Sequence, residues 1–161
     1  MGKNRGFTLI ELVVVIAVIV ILSAIILFTV NQYINKGKDS NIKGNLVVLV
    51  ASGEVYYNGP GGNSYRASVD SDFCDSSVVI NAFSRIPSNA SPECEVNSSG
   101  DRWVACAQLF TDTSKAYCVD SRGVKEEIDS SVCNQVSIAA LDPMQCNALK
   151  IFTIWYFENK L

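Results

Sequence analysis

The sequence predicts an α+β chain in which a long N-terminal helix, membrane-spanning in its first half, packs on a small antiparallel sheet head held by disulfides. Three observations predict it. An uninterrupted apolar run opens the chain, a near-helical apolar spacing continues beyond it, and all six cysteines fall after it among short β-rich segments. A length of 161 residues suits one domain with its own core plus an appendage.

The opening run, FTLIELVVVIAVIVILSAIILFTV over residues 7–30, carries one charge. As a helix it would be roughly 36 Å long, enough to span a bilayer. Only MGKNRG precedes it, and Lys3 and Arg5 should hold that end on the cytoplasmic side and send the rest of the chain outward. Leu22-Ser23-Ala24 is a poor imitation of a signal-peptidase site, because the apolar run continues past it. Residues 31–57 should continue the helix, since no proline interrupts and Ile34, Ile42, Leu46, Leu49 and Val50 recur at near-helical spacing. Gly37, Gly44 and Gly53 each weaken it by up to about 1 kcal/mol relative to alanine, so a domain must dock on it, with residues 46–51 as the expected face. Lys36, Lys38 and Lys43 fit acidic headgroups or a solvated face equally well.

Residues 58–161 form the expected head. The turn cluster Asn58-Gly59-Pro60-Gly61-Gly62-Asn63-Ser64 stops the helix. Residues 76–86 suit a short helix or a strand, and residues 89–100 read as loop. Segments 102–109 and 115–120 read as two strands of an antiparallel hairpin that sets Cys106 opposite Cys118.

The six cysteines, Cys74, Cys94, Cys106, Cys118, Cys133 and Cys146, contain no C-x-x-C pair, and the chain has no histidine. That spacing argues against zinc and for three disulfides formed in an oxidising compartment. Six cysteines allow fifteen pairings. The consecutive set Cys74–Cys94, Cys106–Cys118, Cys133–Cys146 is one of them, and the sequence does not choose.

Glu11 is the anomaly, a carboxylate one turn inside an apolar segment. Such a charge costs a few kcal/mol in hydrocarbon and usually marks a partner or a functional path. No basic residue lies between Phe7 and Asn35. The cation would then come from another molecule, or from a free α-amino group made by cleavage between Gly6 and Phe7. A simpler alternative is that Glu11 snorkels to the headgroups.

Gly6-Phe7-Thr8-Leu9-Ile10-Glu11, behind a short basic leader and ahead of a spanning run, resembles the processing site of type IV prepilins and pseudopilins. The segments 39–57, 103–107 and 117–123 resemble pilin helix and head more loosely. The resemblance implies a leader of residues 1–6 cut after Gly6 by a prepilin peptidase, methylation of the new N-terminus at Phe7, and assembly guided by Glu11. It implies a pilin-like fold, membrane lipid around residues 7–30 before assembly, and then a filament of identical chains built by membrane machinery. One departure is that many major pilins carry a proline or glycine within the membrane helix, and this chain has neither between Phe7 and Asn35.

Composition narrows the function classes. From Val55 onward, 8 Lys and Arg stand against 13 Asp and Glu, so the head has no general attraction for phosphate backbones. A nucleic-acid partner would need Arg66, Arg85, Arg102 and Arg122 to form one patch. Without histidine no Ser/His/Asp or Cys/His nucleophile set can be written, no phosphate-binding loop follows a strand, and acid pairs such as Glu126-Glu127 suit a solvated surface. The expectation is a structural subunit, with no catalytic residue, cofactor or metal. The alternatives are a minor subunit whose head binds DNA, a surface or a secreted substrate, and a membrane-anchored extracellular domain. The tail at residues 151–157, IFTIWYF, has no assigned role.

Overall fold

The computed structural model describes residues 6–68, 71–133 and 146. The C-terminal tail singled out above lies outside the described residues. The chain divides into two compact units, Met1–Asn35 and Lys36–Leu161. Helix α1, Leu9–Asn58, contributes to both.

In the first unit α1 meets the length and hydropathy needed to cross a membrane, with a mean hydropathy of 3.3 over its most apolar 18 residues. Its large apolar side chains, from Leu9 through Ile26, stand exposed wherever they are described. The polar Thr29 hydroxyl is satisfied within the helix, donating to the Ile26 carbonyl at 3.0 Å.

In the second unit α1 is amphipathic. Asp39, Ile42, Leu46, Leu49 and Gly53 are buried, three or four residues apart, which places them on one face. The docking face is therefore this stripe rather than the continuous run 46–51: Val48 between them is 56% exposed. Gly53 is needed there, because a Cβ would lie 2.6 Å from Nε1 of Trp103. The indole thus packs on the bare helix backbone. α1 ends at Asn58 in the expected turn, where a Cβ on Gly61 would come within 1.9 Å of the Ser64 carbonyl oxygen.

The short strands β1, Arg66–Ser68, and β2, Ser71–Asp72, pair antiparallel and lead to α2, Ser77–Ser84. Within residues 76–86 the chain thus forms a helix rather than a strand, burying Val79 and Ala82, with Ile86 buried just past its end. Four strands then form the main sheet in the order β3-β4-β5-β6: Glu93–Val96, Trp103–Gln108, Lys115–Asp120 and Lys125–Asp129. All neighbours are antiparallel. The β4–β5 hairpin is the expected one, whereas β3 falls in a segment expected to be loop.

This sheet is buried on both faces. One face, with Val96, Trp103, Ala105, Ala107 and Val119, shares a core with Ile42, Leu46 and Leu49 of α1. Its alanines leave room for the helix, and Trp103 packs against Phe73 at 4.8 Å between ring centroids. Tyr65 joins that cluster and donates its hydroxyl to Oε1 of Glu54 at 3.0 Å; burial first, and this carboxylate second, push the phenol up to about 12. The other face, with Val104, Cys106, Ala116, Cys118 and Ile128, is covered by Val132 and Cys133 of the short helix α3, Ser130–Cys133, and by Cys146.

Three disulfides tie the head: Cys74–Cys94, Cys106–Cys133 and Cys118–Cys146. The first is the consecutive pair, but the consecutive pairing of the other four is overturned. Cys106 and Cys118 do sit opposite each other in the β4–β5 register. Each nonetheless points into the second core, where α3 brings Cys133 to Cys106, and Cys146 meets Cys118.

Candidate functional site

Gly6 and Phe7 precede the helix and are exposed, Phe7 by 79%. A Cβ built on Gly6 would meet nothing within 4 Å. Its backbone also lies outside the positive-φ region, so the fold of the described residues places no steric demand for glycine there.

Thr8 and Glu11 are joined. Thr8 occupies the cap position before Leu9, and its backbone N–H and hydroxyl both donate to Oε2 of Glu11 at 2.8 Å. The Glu11 amide returns a longer bond to the Thr8 hydroxyl at 3.4 Å. This is a reciprocal capping box over Thr8-Leu9-Ile10-Glu11, and it sets a negative charge at the positive end of the helix dipole. Glu11 thus has a local partner in Thr8, beside any cation that another molecule would supply. The Thr-x-x-Glu spacing ahead of an apolar run was the available signal.

On the head, Asp39 is buried and accepts hydrogen bonds from the Phe110 amide at 2.6 Å, the Thr111 amide at 3.2 Å and the Thr111 hydroxyl. It thereby pins the β4–β5 loop to α1. Beside it, the Lys38 ammonium lies 4.5 Å from the centre of the Phe110 ring. Lys43 donates to Glu127 on β6 at 2.8 Å, and that hydrogen bond, ahead of the opposing effect of desolvation, raises the lysine above its ordinary range. Glu127 is thus a surface charge with a partner.

Of the arginines considered for a phosphate-binding patch, Arg66 donates to the Val96 carbonyl and lies 4.0 Å from Asp72. Arg102 lies 3.8 Å from Asp101, and Arg122 lies 3.5 Å from Asp120. Three of the four therefore have carboxylates beside them. Among the described residues, no three His, Cys, Asp or Glu side chains gather as a metal-binding group.

Residues 1–27 match the family described as the prokaryotic N-terminal methylation motif. The chain thus carries the type IV prepilin-like signature on the segment that holds Gly6, Phe7 and Glu11. No curated protein and no solved structure matches the chain. The N-terminal signature and the pilin-like α+β architecture agree on a type IV pilin-like precursor.

Proposed function

We propose that this chain is a structural subunit of a type IV pilus or a type II secretion-like pseudopilus, and not an enzyme. It enters the cytoplasmic membrane as a prepilin with its head outside. A prepilin peptidase cuts after Gly6, Phe7 becomes the methylated N-terminus, and membrane assembly machinery moves the chain from lipid into a filament of identical copies.

One observation carries this reading: the methylation motif heads a helix whose apolar side chains stand exposed from Leu9 to Ile26. Each buried Val, Leu or Ile is worth about 1.5–3 kcal/mol, so such a surface must be covered by lipid or protein. A single-chain fold has no use for it, whereas a bundle of identical helices does. Gly6 supports the processing step, because its lack of a side chain answers no steric need in the described fold and suits a protease cleft. The arginines paired with carboxylates lend no support to a DNA-binding head.

The test is co-expression with a prepilin peptidase. The native chain should lose residues 1–6, and Gly6→Leu should accumulate at full length in the membrane. Equal processing of both chains would remove Gly6 from the proposed role.

A further inference from the structure

The disulfide topology has a chemical consequence for how the head is made. Cys74 and Cys94 are consecutive and are bridged. The other four are interleaved: Cys106 with Cys133 and Cys118 with Cys146, at sequence separations of 27 and 28. Cys106 and Cys118 are also direct register partners on β4 and β5. Directly opposed residues on antiparallel strands lie roughly 4.5–5.5 Å apart at Cα, inside the range a disulfide spans. The hairpin that forms the middle of the sheet thus presents a competing bridge, Cys106–Cys118, that needs neither α3 nor Cys146.

We infer that the head reaches its native state through disulfide exchange, and that its maturation partner is a thiol–disulfide isomerase rather than an oxidase alone. If the head follows the membrane helix outward, Cys106 and Cys118 become available before Cys133 and Cys146. Loop length pushes the same way: closing the 12-residue separation is favoured about threefold over closing 27 or 28. An oxidising disulfide carrier would accept two electrons and two protons from Cys106 and Cys118, and again from Cys133 and Cys146, leaving two consecutive bridges. Rearrangement to the native pairs is redox-neutral. The isomerase thiolate attacks Sγ of Cys146, forming a mixed disulfide and freeing Cys133 as thiolate. Cys133 attacks Sγ of Cys106, the Cys106–Cys118 bond breaks, and Cys118 leaves as thiolate. Cys118 then attacks Sγ of Cys146, and the isomerase thiolate is released unchanged.

The native packing closes this route. Cys106, Cys118 and Cys146 are fully buried and Cys133 is 1% exposed, within the core that covers the second sheet face. Exchange must therefore finish before that core closes, and the finished head resists thiols.

The inference rests on the proposed placement of the head in an oxidising space, but its test is indifferent to topology. Full-length protein in detergent is reduced in denaturant, diluted, and reoxidised with diamide alone or with diamide followed by a thiol–disulfide isomerase. Samples are alkylated at intervals and mapped by non-reducing peptide mass spectrometry. Diamide alone should yield Cys106–Cys118 in excess of Cys106–Cys133 by about threefold or more. The isomerase should convert that excess to Cys106–Cys133 and Cys118–Cys146. In the double variant Cys133→Ser, Cys146→Ser, the Cys106–Cys118 bridge should form in full. Native pairs as the dominant first products with diamide alone would overturn the inference. So would two free thiols in the double variant.

Discussion

From Leu9 to Ile26 the apolar side chains of α1 stand exposed, while from Asp39 to Gly53 the same helix buries one residue in every three or four. The backbone is equally helical in both stretches. What differs is the source of burial. The second stretch alternates polar and apolar residues at a period that lets the head's own sheet cover one stripe, so it is stabilised within the chain. The first is apolar on nearly every side, Glu11 and Ser23 apart, and its large side chains stand exposed. Such a helix acquires its stability from a solvent or a bundle outside the chain.

The largest test of that contrast lies at Glu11. In a bundle of processed chains, the Phe7 amine of one copy and the Glu11 carboxylate of another would share a water-poor core, and leaving one partner there unpaired costs on the order of 3–5 kcal/mol. Glu11→Val is expected to insert and be cleaved, yet be lost from sheared fibres. Glu11→Gln sharpens the result, because glutamine can close the same capping box with Thr8 while carrying no charge. Loss of fibres in both variants assigns the role to the charge. Normal fibres with glutamine would assign it to the cap.

Next comes packing. Leu46→Ala removes a fully buried side chain and should cost about 2–5 kcal/mol of head stability. Ile19→Ala, on the exposed stretch, should leave the head's thermal unfolding in detergent unchanged. A shared response of the two variants would mean that the stretches are not separately stabilised.

Asp39→Ala should cost about 1–3 kcal/mol, since it strands the Phe110 and Thr111 amides, and should show as faster hydrogen exchange in the β4–β5 loop. The smallest effect is at the Lys43–Glu127 pair, whose side chains are 39% and 40% exposed. Lys43→Met should change stability by under about 1 kcal/mol. Because the hydrogen bond to Glu127 raises the folded pKa of Lys43, its contribution is present in full below the unfolded lysine pKa. It disappears as pH rises through the raised folded value. On the alkaline side, the difference between native and variant chains should therefore persist until strong alkali.

The sequence was readable where a pattern is local. The apolar run, the stop at Asn58-Gly59-Pro60-Gly61 and the β4–β5 hairpin each carry their signal within one continuous segment. β6, Lys-Glu-Glu-Ile-Asp, was missed because only Ile128 enters a core while Glu127 reaches Lys43. β3 was missed because Glu93 and Glu95 hide a strand whose Cys94 and Val96 face α1. The burial of Asp39 carries no local signal, because its partners, the Phe110 and Thr111 amides, lie some seventy residues further along the chain. The pairing of Cys106 and Cys118 depends on α3 and Cys146 returning over the sheet, which no spacing encodes. The Thr8–Glu11 box is legible in the Thr-x-x-Glu spacing, a local pattern that the surrounding apolar run does not hide.

The most direct measurement is the intact mass and N-terminal residue of the chain recovered from sheared surface fibres. The account predicts a chain beginning at Phe7 and, after reduction of its disulfides, heavier than the cleaved sequence by one CH2, the net gain when a methyl replaces an amine hydrogen. A fibre-borne chain that still begins at Met1, or one that begins after Ala24, would contradict it.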